Sequence, residues 1–140
     1  MRRQTSVSLV ILVPALALLG CCCGHFWPAH DESLAGPYRL CAPMDRESMG
    51  VWLRDDSGLR QRIPATVFAV GWNDQFILAK QHPRGQGLVQ PDTSVTDWYI
   101  LRIADDKFWG GMTESEFAAK RDELGVPSNL GFTRVFKDLE

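Results

Sequence analysis

Apolar and polar positions divide the chain into two unlike parts. Residues 7–19 form one apolar run, broken only by Ser8 and Pro14. From Pro37 onward the apolar residues come in short bursts separated by Gly, Pro, Asn and Asp. Short bursts bounded by turn formers read as strands. Candidates are Tyr38 to Cys41 between two prolines, Met49 to Arg54, and Leu59 to Ile63 after the turn Asp55-Asp56-Ser57-Gly58. Pro64 then stops pairing. Thr66 to Trp72 and Gln75 to Gln81 flank Asn73-Asp74, two residues that tolerate a tight turn. Residues 83–96 read as a loop. Asp97 to Ile103 is a further strand, followed by the turn Asp105-Asp106-Lys107 and an extension at Phe108-Trp109. Phe132 to Phe136 is a last short strand.

One helix is signalled. Thr113 is a natural N-cap and Glu116, three residues on, completes a capping box. Ser115 to Leu124 holds good helix formers, with Phe117 and Leu124 on one face, and Gly125 and Pro127 end it. The strands do not alternate cleanly. Phe68, Val70 and Trp72 share one face and Val67, Ala69 and Gly71 the other. Tyr99, Leu101 and Ile103 lie opposite Trp98 and Ile100. A sheet apolar on both faces needs cover on both. One helix covers one face, so the other must meet loops, a curled sheet or a partner. The expected fold class is α+β, a small antiparallel sheet of about five strands with one C-terminal helix. No internal repeat interrupts that reading.

The amino-terminal run is an address. Arg2 and Arg3 precede it and it contains no acid. A basic start and an apolar stretch of this length read as a secretory signal, short of the ~20 apolar residues that span a bilayer. The run ends Leu18-Leu19-Gly20-Cys21, which resembles the lipobox of bacterial lipoproteins. That resemblance implies a diacylglyceryl thioether on Cys21, cleavage between Gly20 and Cys21, and acylation of the new amino terminus with a chain such as palmitate. The alternatives are an ordinary cleaved signal or an uncleaved anchor helix. Each buried methylene contributes about 0.8 kcal/mol, so several acyl chains on Cys21 hold a protein firmly on a membrane. Cys22 rather than Asp follows the lipidated position. The sorting rule of such lipoproteins then implies the outer membrane, facing the periplasm, in a Gram-negative cell. The chain divides into a signal at 1–20, a tether at 21–36 and a single domain at 37–140.

Charge narrows the function classes. Of 140 residues, 45% are hydrophobic and 23% charged, which excludes disorder throughout. The formal charge is −2, and removing residues 1–20, with Arg2 and Arg3 and no acid, makes it −4. Nucleic acid is therefore not an expected partner. The expected contacts are the membrane, through the lipid on Cys21, and an envelope protein.

Cysteine and histidine chemistry is sparse. A disulfide from Cys22 or Cys23 to Cys41 is open to a protein of the envelope, against a reading of all three as small apolar residues. Cys22, Cys23, His25 and His30 match no zinc-module spacing, so no metal is expected, and both histidines read as linker residues. Gly85-Gln86-Gly87 lacks the third glycine of a phosphate loop, and no Gly-x-Ser-x-Gly, His-Glu-x-x-His or Cys-x-x-Cys motif occurs. No catalytic residue and no cofactor is expected.

Several blocks in order carry a second resemblance. These are Val67-Phe68-Ala69-Val70-Gly71-Trp72-Asn73-Asp74, Ile77 to Pro83, Trp98-Tyr99-Ile100-Leu101, Met112 to Phe117 and Arg121 to Pro127. Over residues 60–127 the chain resembles the uncharacterised bacterial family DUF3997. That implies domain limits and no activity. The candidate ligand rim is Lys80, His82 and Arg84, with Gln81 among them and Asp74 at the nearby turn. The bland reading is a strand end with solvated cations that protect an edge. Trp52, Trp72, Trp98 and Trp109 either line a binding face or fill a small core. Asp55-Asp56 and Asp105-Asp106 read as turn residues, with too few oxygen ligands for calcium. The leading expectation is a lipid-anchored envelope protein with a non-enzymatic binding domain that uses a sheet edge or its second apolar face. The alternatives are a small envelope hydrolase or ligand-binding enzyme centred on His82, and an inhibitor or immunity lipoprotein.

Overall fold

A computed structural model describes residues 27–85 and 90–140. The apolar run, Gly20, Cys21, Cys22, Cys23 and His25 lie outside the described residues, as do Gln86 and Gly87. Nine strands and one α-helix are described. Strands β1 (His30–Ser33), β2 (Tyr38–Ala42), β3 (Gly50–Asp55) and β4 (Gly58–Ile63) form an antiparallel sheet in the order β1-β2-β3-β4. Strands β5 (Val67–Trp72), β6 (Phe76–Gln81), β7 (Asp97–Arg102), β8 (Lys107–Met112) and β9 (Arg134–Val135) form a second, in the order β8-β7-β6-β5-β9. Helix α1 (Glu114–Leu124) follows β8. The class is α+β, as the sequence predicts, but the strands sort into two sheets rather than one of about five. Pro64 is where they part. Beyond it the chain does not return along β4, and the Val67 amide donates instead to the Met49 carbonyl at 2.8 Å.

Sheet two is buried on both sides. Ile77 and Leu78 point to opposite faces and both are fully buried. On the Ile77 side, Val67, Val70, Ala79 and Leu101 pack with Tyr38, Leu40, Val51 and Ile63 of sheet one. On the Leu78 side, Phe76 and Ile100 meet Phe117 of α1 with Val126 and Leu130 beyond it. The second apolar face is thus covered from within the chain and is not a surface open to a partner. Fully burying one such aliphatic side chain contributes ~1.5–3 kcal/mol, so neither face could be left wet. The helix is capped as its sequence foretells. The Thr113 amide donates to Glu116 Oε2 at 2.8 Å, and Gly125 closes the other end at φ 67°.

The folded region begins earlier than Pro37. Strand β1 lies inside the stretch read as a tether and pairs with β2 from His30↔Ala42 to Ser33↔Arg39. It is an edge strand with little apolar content, so its sequence looks like a linker. Ladder bonds and ions hold it: Arg39 donates to Asp31 at 2.6 Å and Arg134 to Glu32 at 3.0 Å. His30 is a part of this strand, edge-on to Phe136 with ring centroids 5.3 Å apart.

Two contacts tie the layers. Asp106, in the turn before β8, accepts from Tyr38 Oη at 2.7 Å and Arg62 Nε at 2.8 Å, and its carbonyl accepts from Arg62 at 2.7 Å. The turn residue therefore bolts sheet two to sheet one. After α1 the chain crosses β5 so closely that a Cβ on Gly71 would lie 1.8 Å from the Gly131 carbonyl oxygen. Only glycine fits there.

Gly71→Ala is expected to cost about 3 kcal/mol or more in urea unfolding, because backbone rather than a pliable side chain must move. Asp106→Ala is expected to cost about 1–3 kcal/mol by the same measurement, since the Tyr38 hydroxyl and the Arg62 guanidinium lose their shared acceptor.

Candidate functional site

The rim residues do not converge. Lys80 turns toward the helix side, its Nζ 4.3 Å from the centre of the Trp98 ring and 4.9 Å from that of Phe132. A cation over aromatic faces is well satisfied there. His82 is buried at 3% exposure. Its ring stacks on Phe68 at 4.2 Å, Nδ1 lies 2.7 Å from the Val95 carbonyl, and its backbone bonds Thr66 in both directions. Its Nε2 is buried with no hydrogen-bond partner among the described residues. Asp92, on the same loop as Val95, has its carboxyl held low by hydrogen bonds from Ser94. Arg84 alone stays at an open surface, donating to the Glu47 carbonyl at 3.3 Å. Asp74 lies at the other end of β6. Alternation along a strand suggests that residues 80, 82 and 84 share a face, but the strand ends at Gln81 and the alternation ends with it.

A different candidate site lies at the passage from β4 to β5. An open hollow of about 680 Å³ is lined there by residues of both sheets. Sheet one supplies Trp52 and Gln61, which are direct cross-strand partners. Sheet two supplies Gln81 and Asp97, also direct partners, and Tyr99 one step along the same face. Pro43, Pro64 and Pro83 complete apolar walls, and Arg84 stands at the edge. Each aromatic is positioned by its backbone. The Trp52 indole donates to the Cys41 carbonyl at 3.1 Å. The Tyr99 ring lies against β8 where a Cβ on Gly110 would come within 2.0 Å of it.

The polar groups of the hollow are less satisfied. Gln81 is 3% exposed; its Nε2 donates to the Ala65 carbonyl at 2.7 Å, and its Oε1 is buried without a partner among the described residues. Such an acceptor costs about 1–3 kcal/mol while unmet. The side chain of half-buried Asp97 makes no hydrogen bond or ion pair among the described residues. Burial pushes the Tyr99 phenol up and the Asp97 charge adds to it, against a hydrogen bond from the Gly111 amide. Sequence reasoning placed Gln81 in the rim cluster but missed Asp97, Tyr99 and Gln61, which looked like ordinary strand residues. The one available signal was a strand pair ending in polar residues at both Gln81 and Asp97.

The family model described as a protein of unknown function, DUF3997, matches residues 40–137. The chain belongs to the DUF3997 family. The match runs from β2 through β9, wider than the stretch that carries the resemblance, and takes in every residue named for the hollow. No curated protein and no solved structure matches the chain. DUF3997 membership thus brings a boundary and no chemistry. Among the described residues no group of three or more His, Cys, Asp or Glu is placed to hold a metal ion. Cys41 is buried, which pushes its thiol up, while Cys22 and Cys23 lie outside the described residues.

The chain has two tyrosines, and both are raised: Tyr99 as above, and Tyr38 by burial first and then by its hydrogen bond to Asp106. An unfolded chain releases these protons near pH 10, whereas the folded one retains them. Stability is therefore present below about pH 10 and falls as pH rises above it. Phenolate absorbance of the native protein is expected to lag that of the protein in guanidinium, and Tyr38→Phe to shrink the lag.

Proposed function

We propose that this chain is a lipid-anchored protein of the cell envelope, held by an acylated Cys21, whose folded domain captures a ligand without transforming it. The address rests on sequence chemistry. A basic start, an apolar run and Leu18-Leu19-Gly20-Cys21 occur in the order that lipoprotein processing requires. Among the described residues no helix is long and apolar enough to cross a membrane. Attachment in this reading belongs to the lipid on Cys21, which needs no such helix.

The observation that carries the binding reading is the hollow beside Trp52, Tyr99, Gln81 and Asp97. It has the size and the mixture of apolar wall and few polar groups that small-ligand sites share. His82, the residue on which a hydrolase would turn, does not line it and is tied to Val95 and Phe68 instead. A general base must reach the proton it removes, so this placement favours capture over catalysis.

Intact mass and detergent partitioning test the address. The wild-type product from a bacterial host is expected to begin at Cys21, carry added acyl mass and enter the detergent phase. Cys21→Ser is expected to lose both properties. An unacylated wild-type product would overturn the anchored reading.

A further inference from the structure

We propose that the hollow at the β4–β5 passage binds a small organic ammonium, a primary amine carried on an apolar body. The inference rests on the binding reading above and names its ligand class. Three observations converge on it. The register Gln81↔Asp97 places a buried unpaired carboxamide oxygen beside a carboxylate that has no partner among the described residues. Facing side chains of such a pair stand ~4.5–5.5 Å apart at Cβ, within reach of one donor group. Both free groups are acceptors, because the Gln81 amide nitrogen already donates to the Ala65 carbonyl. An ammonium offers three donors and no acceptor, and so meets both; an anion would meet two like poles.

Charge points the same way. Arg84, the cation at the edge, stands 3.9 Å from Glu47 Oε2, which answers it. Among the described residues Asp97 is left as the uncompensated charge in the hollow. The walls select the rest of the ligand. Trp52 and Tyr99 line the same space and offer aromatic surface to an apolar body, and their rings attract a cation beside them. Asp97, half-exposed, takes the charge first, and a small turn of the Gln81 carboxamide supplies the second acceptor. The site as read holds its ligand by position and charge, and no bond is made or broken.

The test is calorimetric titration of the purified full chain with phenethylammonium and, separately, with its neutral isostere phenethyl alcohol. The ammonium is expected to bind at least about tenfold more tightly, the worth of one charge-assisted hydrogen bond. Asp97→Asn, which keeps side-chain shape, is expected to erase that preference with an unchanged melting temperature. Arg84→Gln, which removes the cation at the exposed edge, is expected to tighten ammonium binding. Equal binding of the two compounds would overturn the ammonium class and leave the hollow a binding site. So would a preference that survives Asp97→Asn, or weaker binding in Arg84→Gln. If neither compound binds, the ammonium proposal and the assignment of this hollow as the binding site both fall, whatever the lipidation experiment returns.

Discussion

A sheet with no wet face governs this molecule. Strands β5, β6 and β7 carry apolar side chains to both sides, as fully buried Ile77 and Leu78 show in adjacent positions. Each face must be removed from water, and the chain supplies a different cover for each. Four amino-terminal strands close one side, and α1 with the return segment closes the other. Gly71 and Asp106 follow from that arrangement. The first lets the return segment cross at backbone distance, and the second joins the outer sheet to the inner one through Tyr38 and Arg62.

The hollow follows from the same constraint. The buried strands cannot stay apolar to their last residue, because their ends meet solvent and turns. Gln81 and Asp97 are where β6 and β7 change from apolar to polar. The chain crosses between sheets beside them, and it cannot both cross and close the space with Pro64, Pro43 and Pro83 around it. What remains is an aromatic and proline-walled opening with Gln81 and Asp97 in its lining. The hollow is a by-product of how the sheets are joined, and no sequence motif announces it.

Local signals were legible where one short segment decides its own conformation. The Thr113–Glu116 capping box, the Gly125 stop, the Asn73-Asp74 hairpin and the strands on either side of it all stand as the sequence predicts, because their hydrogen bonds close within a few residues. The Trp-rich character was legible too, although it divides between core and surface: Trp98 packs against Phe117 while Trp52 lines the hollow. Strand β1 was not legible. An edge strand with His, Asp, Glu and Ser has the composition of a linker, and only its partner β2 and the distant Arg134 make it a strand.

The sequence by itself determined the helix, most of the strands, the two-sided burial of the central hairpin and the family. These depend on composition and on contacts a few residues apart. Only the tertiary structure decided that the strands form two sheets, that the second apolar face is closed from within, and which polar residues share a site. It drew Lys80 onto Trp98, buried His82 against Phe68, and set Asp97 and Gln81 opposite Trp52 and Gln61. Those outcomes depend on which strand pairs with which across gaps of tens of residues, and a pattern with period two carries no information about its neighbour.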